Sequence, residues 1–146
     1  METLLAIAAC LVASSACPVT PPESTVPVEQ FTAVYERSGG LKATPQRLVV
    51  RPGRRVTATT TGASGRPRTA RFRISVLKAK QLRNGLQSAH LDEIDPGAPG
   101  SCADCYVYSL SFREDTVSLS QADVPVWLNR TIERFEALIE AHLPFH

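Results

Sequence analysis

The stretch Tyr106–Ser120, YVYSLSFREDTVSLS, decides the fold of this chain. Its first half alternates large apolar with smaller residues, which is the period of a strand with one buried face. The residues that share that face are Tyr106, Tyr108, Leu110 and Phe112. Arg113–Asp115 forms a polar turn, and the second half returns with Val117 and Leu119 pointing inward. The pattern therefore predicts an antiparallel β-hairpin.

The clearest amphipathic helix follows this hairpin and is expected over residues 125–143. Pro125 suits the first helical turn, because the N–H group that proline lacks would have no partner there. Apolar residues then recur at spacings of three and four, the period of one buried helix face. That face comprises Leu128, Ile132, Phe135, Leu138 or Ile139, and His142 or Leu143. Trp127 lies beside it and is expected to cover the hairpin or to remain half-exposed.

A second helix is expected upstream of the hairpin, over residues 76–90, with Ser75 as its N-cap. Its predicted buried face comprises Ala79, Leu82, Leu86 and Ala89. Arg83 lies off that face, and Gly85 weakens the helix by about 1 kcal/mol relative to alanine. The segment Asp95–Gly100, DPGAPG, separates this helix from the hairpin because it is rich in helix- and strand-breaking residues.

Extended segments precede the helices. They are Val28–Arg37, Leu41–Val50, Val56–Thr61 and, as a short strand or lead-in, Arg68–Ile74. Pro45 favours an edge position or a bulge for the second segment, because proline cannot donate a ladder hydrogen bond. Apolar residues make up 43% of the chain, which is enough for a globular core. We therefore predict an α+β fold: a single small domain, residues 28–146, with two helices packed on an antiparallel sheet.

Charge is distributed unevenly although the net charge is only +2. Residues 36–83 contain 13 Lys and Arg against one acid, whereas residues 84–146 contain three Arg against ten Asp and Glu. A solvated basic sheet face would account for this, and so would a docking surface for an acidic partner, lipid headgroups or a cell-wall polyanion. Nucleic acid is not an expected partner, because the basic half has few aromatic side chains for stacking on bases. The role of the basic stretch 42–74 stays open.

The N-terminal segment, METLLAIAACLVASSAC, has the features of a secretory leader. Its apolar run, Leu4–Val12, is shorter than the roughly 20 residues that span a bilayer. The small residues before Cys17 resemble the lipobox of bacterial lipoprotein signals, in which the cysteine is lipidated. We expect a signal peptide at 1–16, lipidation of Cys17 and a Pro/Thr-rich tether at 17–27. The protein would then be exported to the bacterial envelope, with an ordinary cleaved signal and a cytoplasmic location as the alternatives.

Cys102 and Cys105 form a CxxC pair. A thioredoxin-like redox site needs this pair at the start of a helix, but here a strand pattern follows. A zinc site needs four ligands, and His90, His142 and His146 lack ligand spacing. A small structural disulfide is the favoured interpretation, and its short loop predicts a modest stabilisation.

No combination of residues predicts catalysis. The serines lack a Gly-x-Ser-x-Gly elbow. Asp92, Glu93 and Asp95 cluster at a helix exit, where we interpret them as solvated. Gly39–Gly40 is interpreted as a turn rather than a phosphate loop, because no lysine and helix of a P-loop follow it. We therefore expect a protein that is not an enzyme and that has no metal site and no cofactor.

Four short pieces, in this order, resemble emfourin, a bacterial proteinaceous inhibitor of thermolysin-type metalloproteases. They are Tyr35–Leu41 (YERSGGL), a helix ending in Leu91, Ala103–Tyr108 (ADCYVY), and Val124–Pro125 opening the last helix. The resemblance covers roughly residues 31–143. It implies a non-enzymatic binding domain, secreted or lipid-anchored, with inhibition of a metalloprotease as one expected activity. The alternative is a structural envelope lipoprotein whose basic face contacts anionic polymer or lipid.

An inhibitor of this kind needs a rigid loop, so that binding loses little conformational entropy. The best candidate comprises Arg37, Ser38, Gly39, Gly40 and Leu41. The two glycines allow a close backbone approach, and Leu41 is of the apolar type that thermolysin-like proteases accept. A plain hairpin turn is the alternative interpretation of the same residues.

Overall fold

The computed structural model describes residues 27, 30–41, 44–62, 64–97 and 102–144. The expected leader, Cys17 and nearly all of the tether lie outside the described residues, and so does His146. None of the helices described is both long enough and apolar enough to cross a membrane.

The described strands form one antiparallel sheet. They are β1 (Ala33–Gly39), β2 (Gln46–Arg51), β3 (Arg55–Thr61), β4 (Pro67–Arg73), β5 (Tyr106–Phe112) and β6 (Asp115–Ser120). Their order across the sheet is β4-β3-β2-β1-β5-β6, and β5 and β6 are the hairpin that the sequence predicts. The α+β class is confirmed.

The edge position or bulge expected for the Pro45 strand is wrong, because β2 pairs residue by residue without a bulge. β2 pairs with β1 on one side and with β3 on the other, so it is an interior strand. Pro45 comes immediately before β2, where its missing N–H removes no ladder bond, and its carbonyl accepts a hydrogen bond of 3.2 Å from the Thr61 N–H.

Two helices pack on one face of the sheet: α1 (Val76–Ser88) and α2 (Val126–His142). Ser75 is the N-cap of α1 as predicted, and its Oγ accepts a hydrogen bond of 3.2 Å from the Lys78 N–H. The helices meet closely at Gly85, where a Cβ atom would lie 2.5 Å from Thr131 Oγ1. The glycine that weakens α1 locally therefore allows it to approach α2. Arg83, expected off the buried face, is buried.

The core lies between the helices and the sheet. Phe135 of α2 stacks on Tyr35 of β1 with ring centroids 5.2 Å apart, and both side chains are fully buried. Three of the four predicted inner residues of β5 are buried in the same cluster as Leu128 and Ile132 of α2, namely Tyr108, Leu110 and Phe112. The fourth, Tyr106, is partly buried against that cluster. Trp127 is 56% exposed. The apolar positions predicted from the helical period of α2 and from the alternation in β5 therefore meet in one core.

We call the sheet face under the two helices the covered face. We call the opposite sheet face the open face, because no described helix or strand packs on that face. Side-chain alternation and register place these residues on the open face: Val34, Glu36, Ser38, Arg47, Val49, Arg51, Arg55, Thr57, Thr59, Thr61, Thr69, Arg71, Arg73, Val107, Ser109, Ser111, Thr116, Ser118 and Ser120. Hydroxyl side chains and arginines dominate it.

Candidate binding site

The segment predicted to be a partner-binding loop, Arg37–Leu41, comprises the last three residues of β1, which pair with the start of β5, and the two residues that follow. We call it the glycine loop. Gly39 and Gly40 both have positive φ, 75° and 74°, a conformation that side chains with a Cβ rarely adopt. The Gly40 N–H donates a hydrogen bond of 3.2 Å to the Cys105 carbonyl. A Cβ on Gly40 would overlap the Tyr106 ring. The glycines therefore permit a close packing contact as well as a turn.

The Cys102–Cys105 pair forms a disulfide, with the two Cα atoms 5.4 Å apart, directly before β5. It ties the segment whose carbonyl accepts the Gly40 N–H. On the other side, the Tyr106 N–H donates to Gln121 Oε1 at 3.2 Å. The disulfide therefore braces the strand end on which the glycine loop rests. A strand follows the CxxC pair, so the pair lacks the helix N-terminus of a thioredoxin-like site.

The five loop residues differ in what they offer a partner. The Leu41 side chain is 86% exposed, and Ser38 and Gly39 are exposed. Arg37 instead turns toward α2: its Nη1 donates to Glu136 Oε1 at 2.8 Å, and its side chain is only 14% exposed. Its guanidinium also lies 4.4 Å from the centroid of the Tyr106 ring. Leu41 is therefore the side chain that projects, and Arg37 helps to fix the loop.

The Glu136 carboxylate accepts hydrogen bonds from two donors, one of which is Arg37 Nη1. The Tyr35 hydroxyl donates to the same Oε1 atom at 3.1 Å. Burial, together with the nearby Glu136 carboxylate, raises the pKa of Tyr35 well above its ordinary value. Tyr35 therefore stays neutral and acts as a hydrogen-bond donor. The sequence missed this network, because Glu136 reads as one of several charged residues beside an apolar stripe and lies 101 positions from Tyr35.

The covered face is polar next to this network. Arg37, Gln46 and Thr60 are neighbours across β1, β2 and β3. Three of their atoms are buried without a hydrogen-bond partner: Arg37 Nε, Gln46 Oε1 and Thr60 Oγ1. Each such atom costs about 1–3 kcal/mol. The sheet end that carries the glycine loop is therefore the less apolar end of the core.

A shallow depression of about 450 Å³ adjoins the glycine loop on the open face. Ser38 lies at its rim, and Thr59, Ser109 and Ser118 line it. The Glu36–Arg47 ion pair, with 2.8 Å between Oε1 and Nε, also lines it. No motif signalled this depression, because its residues come from five different strands: β1, β2, β3, β5 and β6.

The other candidate residues do not assemble into a site. His90 and Glu93 are exposed and face each other at 4.0 Å at the exit of α1. His142 stacks on Phe72 with centroids 3.5 Å apart, and its Nδ1 lies 2.9 Å from the Leu138 carbonyl oxygen. Asp92 and Asp95 are exposed, as interpreted. Among the described residues, no group of three or more His, Cys, Asp or Glu side chains could hold a metal ion.

Comparison with known proteins assigns no family. A scan against protein-family models found no match. A search of the curated proteins found none with significant similarity to this chain. A function for this protein is therefore inferred from the geometry of the site and from the motif resemblance.

Proposed function

We propose that this protein is a non-enzymatic binding domain that engages a protein partner through the glycine loop. The observation that carries the proposal is the contrast within five residues. Leu41 is 86% exposed. The residue directly before it, Gly40, is hydrogen-bonded to Cys105 and packed on Tyr106. A projecting apolar side chain on an immobilised backbone loses little conformational entropy when it enters a pocket.

The partner that we propose is a thermolysin-like metalloprotease, which the domain inhibits by occupying its cleft. The support is the emfourin-like order of motifs, together with the apolar character of Leu41. The Ser38 rim and the depression beside it offer hydroxyl groups that would contact the rest of a cleft. The disulfide and the Arg37–Glu136 ion pair hold the two ends of this surface.

The test is a titration of the purified protein against a panel of thermolysin-like proteases. Leu41→Asp places a charge where an apolar contact is expected and should weaken inhibition at least about tenfold, a change of about 1.4 kcal/mol. Val126→Asp is the matched control, because Val126 is 85% exposed on α2, away from the loop. It should leave inhibition unchanged.

Two outcomes would count against this proposal. The absence of inhibition by the wild-type protein would reject it for the proteases in the panel. Inhibition that survives Leu41→Asp would place the contact surface elsewhere on the domain.

We also propose that the protein is exported and held at the bacterial envelope through a lipid on Cys17. The leader-like sequence supports this, and a disulfide is compatible with an oxidising compartment. Cys17→Ser should release the protein from the membrane fraction without changing its unfolding transition, and intact mass would report cleavage and lipidation together. A wild-type protein found wholly in the soluble culture fraction would contradict the lipid anchor.

A further inference from the structure

Three arginines lie side by side at the end of the open face away from the glycine loop. Arg51 of β2 is directly opposite Arg55 of β3, and Arg55 is directly opposite Arg73 of β4. Adjacent strands are about 4.7–4.9 Å apart, so the row is about 10 Å long. Like charges directly opposite one another destabilise a sheet, so this arrangement opposes folding unless an anion offsets it.

A fourth arginine, Arg71, lies on the same face of β4, and we call the four residues the arginine corner. They line a depression of about 630 Å³ together with Val56, Thr57 and Phe72. Arg51 Nη1 donates to Thr57 Oγ1 at 3.1 Å, and Arg55 Nε donates to the Pro52 carbonyl at 3.2 Å. These bonds orient the two guanidinium groups and leave their other N–H donors for a ligand.

The charge of the corner is not neutralised within the described part of the chain. The ion pairs Arg37–Glu136 and Arg47–Glu36 lie outside the corner, and no described carboxylate forms an ion pair with a corner arginine. All four corner side chains are exposed. An anion would therefore meet several unpaired guanidinium groups at once.

Protection of a sheet edge does not account for the whole corner. Charged residues on edge strands discourage pairing between sheets, and β4 is an edge strand. That argument covers Arg71 and Arg73. It does not cover Arg51 on β2 or Arg55 on β3, because both strands are interior.

We propose that the arginine corner binds a linear phosphodiester polymer that carries no bases. Arginine forms bidentate hydrogen bonds to phosphate, and every basic residue of the corner is arginine. The described open face has no aromatic side chain on which nucleic-acid bases could stack. Its one exposed large apolar residue, Val107, lies at the opposite end. Val56 and Phe72 also line the depression but belong to the covered face, where Val56 is buried and Phe72 stacks on His142. The corner therefore offers no exposed apolar anchor of a bilayer-binding or protein-binding surface. This surface is separate from the glycine loop and does not depend on the proposed function.

The test measures binding of synthetic poly(glycerol phosphate) to the full protein by calorimetry over a range of salt concentrations. Neutralising three phosphates should give a slope of log K against log salt of about −2, from about −0.7 per phosphate of a flexible strand. The triple variant Arg51→Gln, Arg55→Gln and Arg73→Gln should weaken binding at least about tenfold and remove most of that slope.

The matched control removes the same charge elsewhere: Arg66→Gln, Lys80→Gln and Arg130→Gln, all exposed and outside the corner. It should weaken binding less than about threefold, because only long-range attraction is lost. The corner variant should unfold at a temperature no lower than the wild type, because like charges have been separated. A lower unfolding temperature would indicate a structural role for the row and overturn the proposal.

Two further outcomes would also overturn the proposal. The first is that the wild-type protein does not bind the polymer at low salt. The second is that both triple variants lose the same amount of binding affinity, which would show attraction by net charge alone. Tighter binding to single-stranded DNA would indicate a nucleic-acid surface. Tighter binding to phosphatidylglycerol vesicles would indicate a membrane surface.

Discussion

The two faces of the sheet are built by the same strands but perform different physical tasks. On the covered face, Tyr35, Leu48 and Leu110 are almost completely buried under the helices. On the open face, most positions carry hydroxyl groups or arginines, and the arginines are exposed to water. Apolar burial supplies most of the folding free energy, so stability is concentrated on one face. The other face is free to bind partners at little cost to the fold.

The largest effect is expected where the covered face meets α2. Phe135→Ala removes a fully buried ring that stacks on Tyr35, and it should lower the free energy of unfolding by about 3–5 kcal/mol. Ser118→Ala, on the open face, should change it by less than about 0.5 kcal/mol. Chemical denaturation measures both. A loss below about 1 kcal/mol for Phe135→Ala would mean that α2 does not dock as described.

A second contrast uses two glycines with the same backbone conformation. Gly40 and Gly65 have φ of 74° and 73°, but only Gly40 is packed on a ring, that of Tyr106. Gly65→Ala should cost about 1–2 kcal/mol for the left-handed conformation alone. Gly40→Ala adds a steric overlap, so about 2–4 kcal/mol is expected from denaturation curves. Equal costs for the two substitutions would show that Gly40 does not pack on the Tyr106 ring of β5.

The polar end of the covered face should be visible as a dependence on pH. Tyr35→Phe removes a hydrogen bond to Glu136 and should cost about 1.5–3 kcal/mol at neutral pH. Burial raises the pKa of Tyr35 above 10, so above that pH the unfolded chain releases a proton that the native protein keeps. Wild-type stability is therefore fully present below pH 10 and falls above it, by up to about 1.4 kcal/mol per pH unit.

In Tyr35→Phe this alkaline decline should be shallower, although Tyr108, whose pKa burial also raises, leaves part of it. Unfolding free energies measured from pH 8 to 11 would test the slope. Identical slopes in the variant and the wild type would show that Tyr35 titrates as a solvated tyrosine.

A small effect is also expected for removal of the disulfide, which belongs to neither face. Cys102→Ser with Cys105→Ser should cost about 1–2 kcal/mol, because the loop that the bond closes is short. In the oxidised protein no free thiol should react at these positions until a reductant is added. Stoichiometric, tightly bound zinc in the purified protein would contradict the disulfide.

The local elements were predictable because their signals are periodic. The hairpin needed only the alternation in Tyr106–Phe112 and Thr116–Ser120, and α2 needed only its apolar stripe. The position of Pro45 was interpreted wrongly, since a proline one residue before a strand and one inside it look alike in sequence. Arg83 was also placed wrongly: it is buried although a charged residue is expected outside the apolar stripe of a helix.

The candidate site was only partly predictable. The turn at Gly39–Gly40 was expected, and the disulfide was the favoured interpretation of the CxxC pair; both are present. That the glycines pack on Tyr106, and that Arg37 pairs with Glu136 rather than projecting, could not be predicted. Both contacts join residues more than 60 positions apart, and no local pattern reports such a distance.

The sequence by itself determined which segments become strands and helices and which side of each is apolar. It could do so because backbone geometry fixes how often side chains return to the same side of a helix or strand. Apart from the β5–β6 hairpin, which the sequence predicts, only the tertiary structure decided which strands are neighbours. Strand order places Arg51, Arg55 and Arg73 in one row, and the packing of α2 on the sheet brings Glu136 to Tyr35. Strand order is set by burial of the whole sheet face beneath the helices, a property of all the strands together that no single segment carries.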